Sequence, residues 1–283
     1  MKHIFLNLKR FDIPPALGGV NRIAPIEDWG EFIVNETGRL LSGYIEDCKA
    51  KNVEFVQYFP EAHLVSALGA STDSSNVIEI GCQGVYRMNT AVGGNFGAFT
   101  TNRPVNAMVA MGCFHTIIGH CEERNDKAGI LSEAGVTNSA AINRLLNQEV
   151  KLAVGEGMKV LYCIGEKSEE QEEWEKVLGE QLDIGLDGVD LSSIVIGYEP
   201  VWSIGPGKTP ADKEYITKIA RFIKKHLGDI DVVYGGGLKQ DNAIMLSSIE
   251  EIDGGLIALT RFTGEIGFYP SDYAEIIKIY LGK

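Results

Sequence analysis

Eight short runs of apolar, β-branched and aromatic residues recur along the chain, and most of them are continuously apolar rather than alternating. Continuous apolar character over this length is typical of parallel strands that are covered on both faces. The pattern therefore predicts eight parallel strands, at 3–9, 53–59, 76–82, 114–120, 159–165, 193–199, 231–237 and 254–259.

Longer segments with a helical spacing of apolar residues lie between these runs. The clearest are 29–51, 139–157, 211–228 and 271–283, and we interpret the highly charged segment 167–182 as a solvent-exposed helix. No linker rich in Ser, Pro or Gly divides the chain. Repeated strand–helix alternation predicts an α/β fold, an eight-stranded parallel (β/α)8 barrel that forms a single domain over 1–283. A doubly wound open sheet is the structural alternative.

Charge and cysteine content narrow the choice of partners. With a formal net charge of −13 the chain would be repelled by a phosphate backbone, so we expect no nucleic-acid partner. A small phosphorylated ligand is compatible, because backbone N–H groups in a local pocket can outweigh the global charge. No stretch approaches the roughly 20 apolar residues of a membrane-spanning helix, and no signal peptide is recognisable, so we expect no membrane partner. The five cysteines are scattered, which favours reduced thiols in a cytoplasmic protein without zinc or disulfides.

Polar residues stand at the ends of several predicted strands. Asn7 and Lys9 close the first strand, His120 the fourth and Glu199 the sixth. Ligands of parallel barrels bind where strands end and βα loops begin, so these residues predict an active site. Glu199 can be a general base under the apolar, glycine-containing stretch that follows it, or a carboxylate that faces solvent or pairs with an arginine. His120 can polarise a carbonyl group or be structural, and Lys9 can bind an enediolate or pair with Glu122.

Several motifs resemble those of the triosephosphate isomerase family, over nearly the whole chain and in the family's order. GYEPVWSIGPGK (197–208) is similar to the family's A-Y-E-P-V-W-A-I-G-T-G-K, and IIGHCEER (117–124) to its V-G-H-S-E-R-R. VLYCIGE (160–166) is similar to its I-A-C-I-G-E. NLK (7–9), VVYGGG (232–237) and GAFTTN (97–102) match its N-W-K, I-Y-G-G-S and G-A-Y-T-G-E.

The resemblance implies a TIM barrel and an aldose–ketose isomerase of glycolysis and gluconeogenesis that needs no metal and no cofactor. It implies that Glu199 moves a proton between adjacent carbons while a neutral His120 hydrogen-bonds the substrate oxygens. Lys9 and Asn7 are implied to stabilise the enediolate, with Glu122 supporting Lys9. The implied lid contains Pro200, Val201, Trp202, Ile204, Gly207 and Lys208, and the implied phosphate ligands are the N–H groups of Gly205, Gly236, Gly237, Ala258 and Leu259.

Departures from the family's pattern lie around the ligand. Ala258 and Leu259 stand where the family has a Gly-Gly pair, and their side chains limit how near the backbone can come to a phosphate. We expect Arg261 to compensate by binding phosphate, the alternative being an arginine paired with Glu265. Gly237 replaces a serine, and a long loop at 10–25 is added after the first strand.

The sequence therefore predicts a triosephosphate isomerase-like enzyme for a small sugar phosphate, by default glyceraldehyde 3-phosphate and dihydroxyacetone phosphate. An isomerase of a four-carbon tetrulose phosphate is the alternative, since every departure lies around the ligand. A weakly catalytic sugar-phosphate-binding paralogue is a further alternative, which the intact quartet of Asn7, Lys9, His120 and Glu199 disfavours. The loop at 84–102 predicts a homodimer, because the corresponding loop of the family reaches into the partner subunit.

Overall fold

Eight strands form in the part of the chain that the computed structural model describes, which is residues 1–44, 46, 52–72, 77–204 and 208–282. They are β1 (Lys2–Asn7), β2 (Val53–Phe59), β3 (Ile78–Cys82), β4 (His115–Ile118), β5 (Lys159–Ile164), β6 (Ile194–Tyr198), β7 (Val232–Tyr234) and β8 (Gly254–Ile257). Their order is that of a closed parallel barrel, which confirms the predicted α/β barrel.

The chain folds as two compact units, one of residues 1–83 and 237–283 and the other of residues 84–236. In the first unit β1 pairs in parallel with β2 and β8, and β2 pairs with β3, so that Asn7 stands opposite Tyr58. In the second unit β4, β5, β6 and β7 pair in sequence, and Tyr198 stands opposite Tyr234. Almost every strand residue is buried, as the continuously apolar runs predicted. That 1–283 forms a single domain stays a prediction.

Helices connect the strands. The described ones are α1 (Trp29–Leu41), α2 (Leu64–Ser71), α3 (Val105–Ala110), α4 (Cys121–Glu133), α5 (Ser139–Gly155), α6 (Trp174–Gly185), α7 (Lys213–Leu227), α8 (Ala243–Ser247) and α9 (Pro270–Tyr280). The helix predicted at 29–51 ends at Leu41 and is followed by a 3-10 turn at Ser42–Tyr44, while residues 45 and 47–51 lie outside the described residues. None of the described helices is both long and apolar enough to cross a membrane.

The prediction of a solvent-exposed helix at 167–182 is partly wrong. Residues Ser168–Glu173 form a 3-10 turn, and α6 begins only at Trp174. Trp174, Leu178 and Leu182 are buried on one face of α6. Their spacing of four residues is that of a helix face that packs on a core, and the charged residues between them masked it.

The loop added after β1 is anchored by a buried carboxylate. Asp12 accepts hydrogen bonds from the Arg10 guanidinium at 2.9 and 2.8 Å and lies 3.2 Å from Nε2 of His63. Burial alone would raise the pKa of Asp12, but the hydrogen bonds from Arg10 and His63 hold it below its ordinary value. The side chain of Asn21 donates to the backbone carbonyls of Asp12 and Ala24, which fixes the far part of the loop.

Candidate active site

His120 is positioned by the junction between β4 and α4. Gly119 turns the chain after the strand, and His120 becomes the N-cap residue of α4. Its Nδ1 accepts a hydrogen bond from the backbone N–H of Glu122 at 3.2 Å. Because a backbone N–H can only donate, Nδ1 carries no hydrogen, and the hydrogen of the neutral ring is on Nε2. Nε2 is therefore available as a hydrogen-bond donor.

Glu199 follows β6, and its carboxylate faces this imidazole. The Glu199 side chain is only 2 % exposed, and its Oε1 lies 3.2 Å from Nε2 of His120. Its Oε2 accepts a hydrogen bond from the backbone N–H of Cys121 at 2.9 Å. A buried carboxylate needs such partners, since its desolvation is otherwise costly. The start of α4 thus supplies two donors to Glu199, one of them from Cys121, a residue that the sequence analysis did not single out.

The glycines after β7 make room for Glu199. A Cβ atom on Gly235 would lie 2.8 Å from Cγ of Glu199 and 2.9 Å from the carbonyl oxygen of Tyr198, closer than real Cβ contacts come. Gly236 packs in the same manner against Tyr234 and Pro200. In the second unit these two glycines therefore have a steric function, independent of any phosphate.

The beginning of the predicted lid is tied to a buried glutamate that follows β5. Residues Val201–Ser203 form a 3-10 turn, and Nε1 of Trp202 donates to Oε1 of Glu166 at 2.7 Å. The hydroxyls of Tyr198 and Tyr215 donate to the same oxygen, each at 3.0 Å. Burial raises the pKa of Glu166, and these three donors oppose the increase.

Glu166 ends the VLYCIGE motif, and a carboxylate at a strand end was the signal that could have identified it. Trp202 also contacts the Tyr215 ring edge-on, with 5.5 Å between ring centroids. Of the remaining predicted lid residues, Ile204 is half-buried and Lys208 is exposed. Gly205 and Gly207 lie outside the described residues.

In the first unit, Asn7 and Lys9 form a hydrogen-bonded group at the end of β1. Oδ1 of Asn7 accepts from the backbone N–H of Lys9 at 3.0 Å and from the side-chain amide of Gln83 at 3.3 Å. The same Gln83 amide donates to the backbone carbonyls of Lys9 and Tyr58, each at 3.1 Å. Lys9 has φ of 43°, in the left-handed region that non-glycine residues rarely adopt. Gln83 was missed because nothing in its sequence context distinguishes it.

The loops that were predicted to bind phosphate lie, apart from Gly205 and Gly236, in the first unit. Gly237 has φ of 100°, and its carbonyl accepts from the Asn242 side chain at 2.9 Å. Ala258 and Leu259 follow β8 and are half-buried. Beyond them a short antiparallel turn forms, in which the N–H groups of Thr260 and Arg261 donate to Gly267.

Arg261 already has partners. Its guanidinium donates to both carboxylate oxygens of Asp272, at 3.0 to 3.2 Å, and lies 4.0 Å from the centre of the Tyr269 ring. The alternative considered from the sequence, an ion pair between Arg261 and Glu265, is therefore wrong. The partner is Asp272, in the first turn of α9. Phosphate binding by Arg261 stays a prediction, with the added requirement that a phosphate share or replace this ion pair.

The chain is similar in sequence and in fold to known proteins. The profile of the family Triosephosphate isomerase matches residues 32–278. The chain is 31 % identical over 258 residues to the triosephosphate isomerase of Alkalilimnicola ehrlichii, covering 87 % of this chain and 91 % of that one. It is 36 % identical over 196 residues to that of Pelodictyon phaeoclathratiforme, covering 65 % and 70 % of the two chains. The crystal structure of the triosephosphate isomerase from Bartonella henselae superposes with a TM-score of 0.71 at 22 % identity, covering 99 % and 98 %.

The closed barrel, with Glu199 and His120 placed just after strands β6 and β4, has the architecture of α/β-barrel enzymes. The family profile and the relative from Alkalilimnicola ehrlichii identify the group more closely. The chain belongs to the triosephosphate isomerase family, and it is an isomerase of that family.

Proposed function

We propose that this chain interconverts an aldose phosphate and its ketose isomer through an enediolate, with glyceraldehyde 3-phosphate and dihydroxyacetone phosphate as its substrates. The pairing of Glu199 with His120 carries the proposal. A carboxylate that is 2 % exposed stands 3.2 Å from an imidazole nitrogen that carries a hydrogen. Such a pair can remove a carbon-bound proton and donate a hydrogen bond to the adjacent carbonyl oxygen.

In the proposed reaction Glu199 removes the proton from the carbon next to the substrate carbonyl. The electron pair of the broken C–H bond moves into the enediolate, whose oxygens accept hydrogen bonds from Nε2 of His120. The carboxylic acid then returns the proton to the neighbouring carbon, so the net change is an isomerisation without an external oxidant or reductant. The N–H of Glu122, which occupies Nδ1 of His120, keeps the ring in the tautomer that this step requires.

We further propose that Lys9 and Asn7 bind the oxygens of the substrate, with Glu122 supporting Lys9. The match of NLK to the family's N-W-K supports these roles. The positive φ of Lys9 adds support, because strained backbone conformations concentrate at functional sites. Glu122 is exposed, so it can respond to a ligand.

Phosphate binding is proposed for the backbone N–H groups of Gly205, Gly236, Gly237, Ala258 and Leu259, under a lid formed by 200–208. The similarity of GYEPVWSIGPGK to the family's motif supports the lid. Its tie to Glu166 supports a defined resting position for Trp202. Arg261 is a secondary candidate, because Asp272 already neutralises part of its charge.

The test is an assay of the purified chain with glyceraldehyde 3-phosphate and with four-carbon ketose phosphates, comparing kcat/KM. A value for glyceraldehyde 3-phosphate at least about tenfold higher than for the four-carbon substrates is expected. Absence of isomerisation with all of them would contradict the proposal.

A four-carbon tetrulose phosphate is the second candidate. The observation that favours it is the loop after β8, where Ala258 and Leu259 replace the family's Gly-Gly pair and an antiparallel turn follows at 260–267. Side chains at these two positions hold a phosphate further from the backbone. A longer substrate could accommodate that displacement.

We also propose that the chain forms a homodimer through its loop at 84–102. The tip of this loop presents Val92, which is fully exposed, and Phe96, which is 88 % exposed. Two large apolar side chains exposed on one loop favour an interaction surface there. Location in the cytoplasm stays a prediction from the cysteine content.

A further inference from the structure

The turn that precedes His120 is held from both sides by the helix that follows it. The N–H of Gly119 donates to Oε2 of Glu123 at 2.7 Å, and Nε of Arg124 donates to the carbonyl of Gly119 at 2.7 Å. Gly119 is buried and has φ of 81°, and a Cβ atom there would lie 2.7 Å from the carbonyl oxygen of Cys163. The two peptide groups on either side of Gly119 are thus fixed, and the second of them leads directly into His120.

Glu123 belongs to a partly buried charge cluster between α4 and α5, in which only Glu149 is fully buried. Nζ of Lys127 lies 2.7 Å from Oε1 of Glu123 and 3.2 Å from Oε1 of Glu149. The Glu149 side chain is only 3 % exposed, and burial together with the charge of Glu123 raises its pKa to about 9. At neutral pH one lysine charge therefore balances one carboxylate, Glu123, while Glu149 stays protonated.

The residue at position 123 departs from the family's pattern. IIGHCEER places Glu123 where V-G-H-S-E-R-R has an arginine, which cannot accept a hydrogen bond from Gly119. Arg124 matches the second arginine of the motif. This chain therefore has a hydrogen-bond acceptor, supported by Lys127 and Glu149, at a position where the motif has only a donor.

We propose that Glu123 is a positioning residue for His120, acting through the N–H of Gly119. Its other carboxylate oxygen is held by Lys127, so Oε2 stays directed at Gly119. If this hydrogen bond is lost, the backbone before His120 can rotate, and Nδ1 loses its alignment with the N–H of Glu122. The turnover readout of this proposal rests on the proposed isomerase function, but the orientation of the His120 ring does not.

Two substitutions separate the hydrogen bond from the charge. Glu123→Gln, always made together with Lys127→Met so that its NH2 group faces no donor, keeps an oxygen that can accept from Gly119 but removes the charged pair. Glu123→Asp keeps the charge but is one methylene shorter and cannot reach Gly119 from the same backbone. We expect Glu123→Asp to lower kcat about tenfold to a hundredfold with KM changed less than about threefold, while Glu123→Gln retains at least about a third of kcat. Asp126→Asn, at an exposed position of the same helix, is the matched control.

The ring itself is observed by NMR of protein with 15N-labelled histidine, the His120 signals being assigned by their loss in His120→Gln. Wild type, Glu123→Gln and Asp126→Asn should share the nitrogen shifts of a neutral ring with hydrogen on Nε2. Glu123→Asp should show a mixture of tautomers or exchange broadening. If Glu123→Asp matches wild type, or if Glu123→Gln is the impaired variant, the charge and not the hydrogen bond matters and the proposal is wrong. A wild type without isomerase activity would contradict the proposed function only, since the NMR comparison would still decide the positioning.

Discussion

Lys9 is held in a backbone conformation that its own side chain disfavours. A left-handed residue with a Cβ atom costs about 1 kcal/mol relative to the helical or extended regions. The Asn7 side chain and the Gln83 amide compensate by hydrogen-bonding the backbone N–H and carbonyl of Lys9. The surrounding side chains thus fix the backbone position from which the Lys9 side chain extends. Such preorganisation is what a charge-stabilising residue requires.

Replacing Lys9 tests whether its ammonium group stabilises the charge that develops on the substrate. Lys9→Met keeps most of the unbranched apolar stem but removes the ammonium group. One preorganised electrostatic contact is worth about 3 kcal/mol, so kcat/KM should fall about a hundredfold while the melting temperature changes little. Loss of folding instead of activity, seen by circular dichroism, would make Lys9 a structural residue.

Replacing Glu199 tests the base. Glu199→Gln keeps the shape and can still accept from the N–H of Cys121, but it cannot take a proton at neutral pH. Steady-state assays should record a fall in kcat of about 10² to 10⁴. Glu172→Gln, at an exposed position, is the control and should leave kcat unaltered. More than about a tenth of wild-type activity in Glu199→Gln would rule out the assignment.

At the scale of elements, the contact between α4 and α5 contains the Glu123, Lys127 and Glu149 cluster and responds to pH. The pKa of Glu149 is about 9 in the folded chain and is ordinarily 4.5. Between these values the folded state keeps a proton that the unfolded state releases. The free energy of unfolding therefore decreases as pH rises through this window.

Glu149→Gln removes this dependence while preserving the size and the hydrogen-bonding capacity of the side chain. We expect the variant to melt higher than wild type at pH 8.5, by about 2 °C or more, and the difference to shrink towards pH 5. Thermal melts at several pH values measure it, and Glu133→Gln at an exposed site of α4 is the control. A difference that does not vary with pH would contradict the assignment.

The strands and helices differ in how clearly the sequence predicts them. The eight strands were predictable within a few residues because each is a continuous apolar run. The length of α4 was not, since it has no buried residue and hence no apolar period. Glu199 and His120 were predicted from their positions at strand ends and from long motifs, and the structure places them side by side. The contacts of Gln83, Cys121 and Glu123 were not predictable, because they involve backbone N–H and carbonyl groups whose positions are set only by folding.

At the scale of the whole molecule, the predicted residues are divided between the two compact units. Asn7 and Lys9 belong to the first, and His120 and Glu199 to the second. The second unit also carries the apolar loop tip with Val92 and Phe96. A loop that exposes such side chains is stabilised when a partner covers them, because burial of apolar area is favourable.

Sedimentation tests whether the loop at 84–102 holds two subunits together. We expect wild type to sediment as a dimer at micromolar concentration, and the double variant Val92→Asp, Phe96→Asp to sediment as a monomer. A charge placed in a buried interface is expensive, which gives the reason for dissociation. Ile244→Asp, on α8 of the first unit and 72 % exposed, should leave the dimer intact. A fully active wild-type monomer at that concentration would refute the proposed interface.

The hydrogen bond between Trp202 and Glu166 gives the chain an intrinsic optical probe. The chain has three tryptophans, of which Trp29 is 1 % and Trp174 8 % exposed, whereas Trp202 is half-buried. Indole emission shifts with the polarity and hydrogen bonding of its surroundings, and the two buried rings are shielded from solvent. A change in fluorescence when phosphate or a substrate analogue is added can therefore be assigned to Trp202, and its loss in Trp202→Phe would verify the assignment. Ligand binding and the state of the 200–204 segment can then be followed in real time without attaching a label.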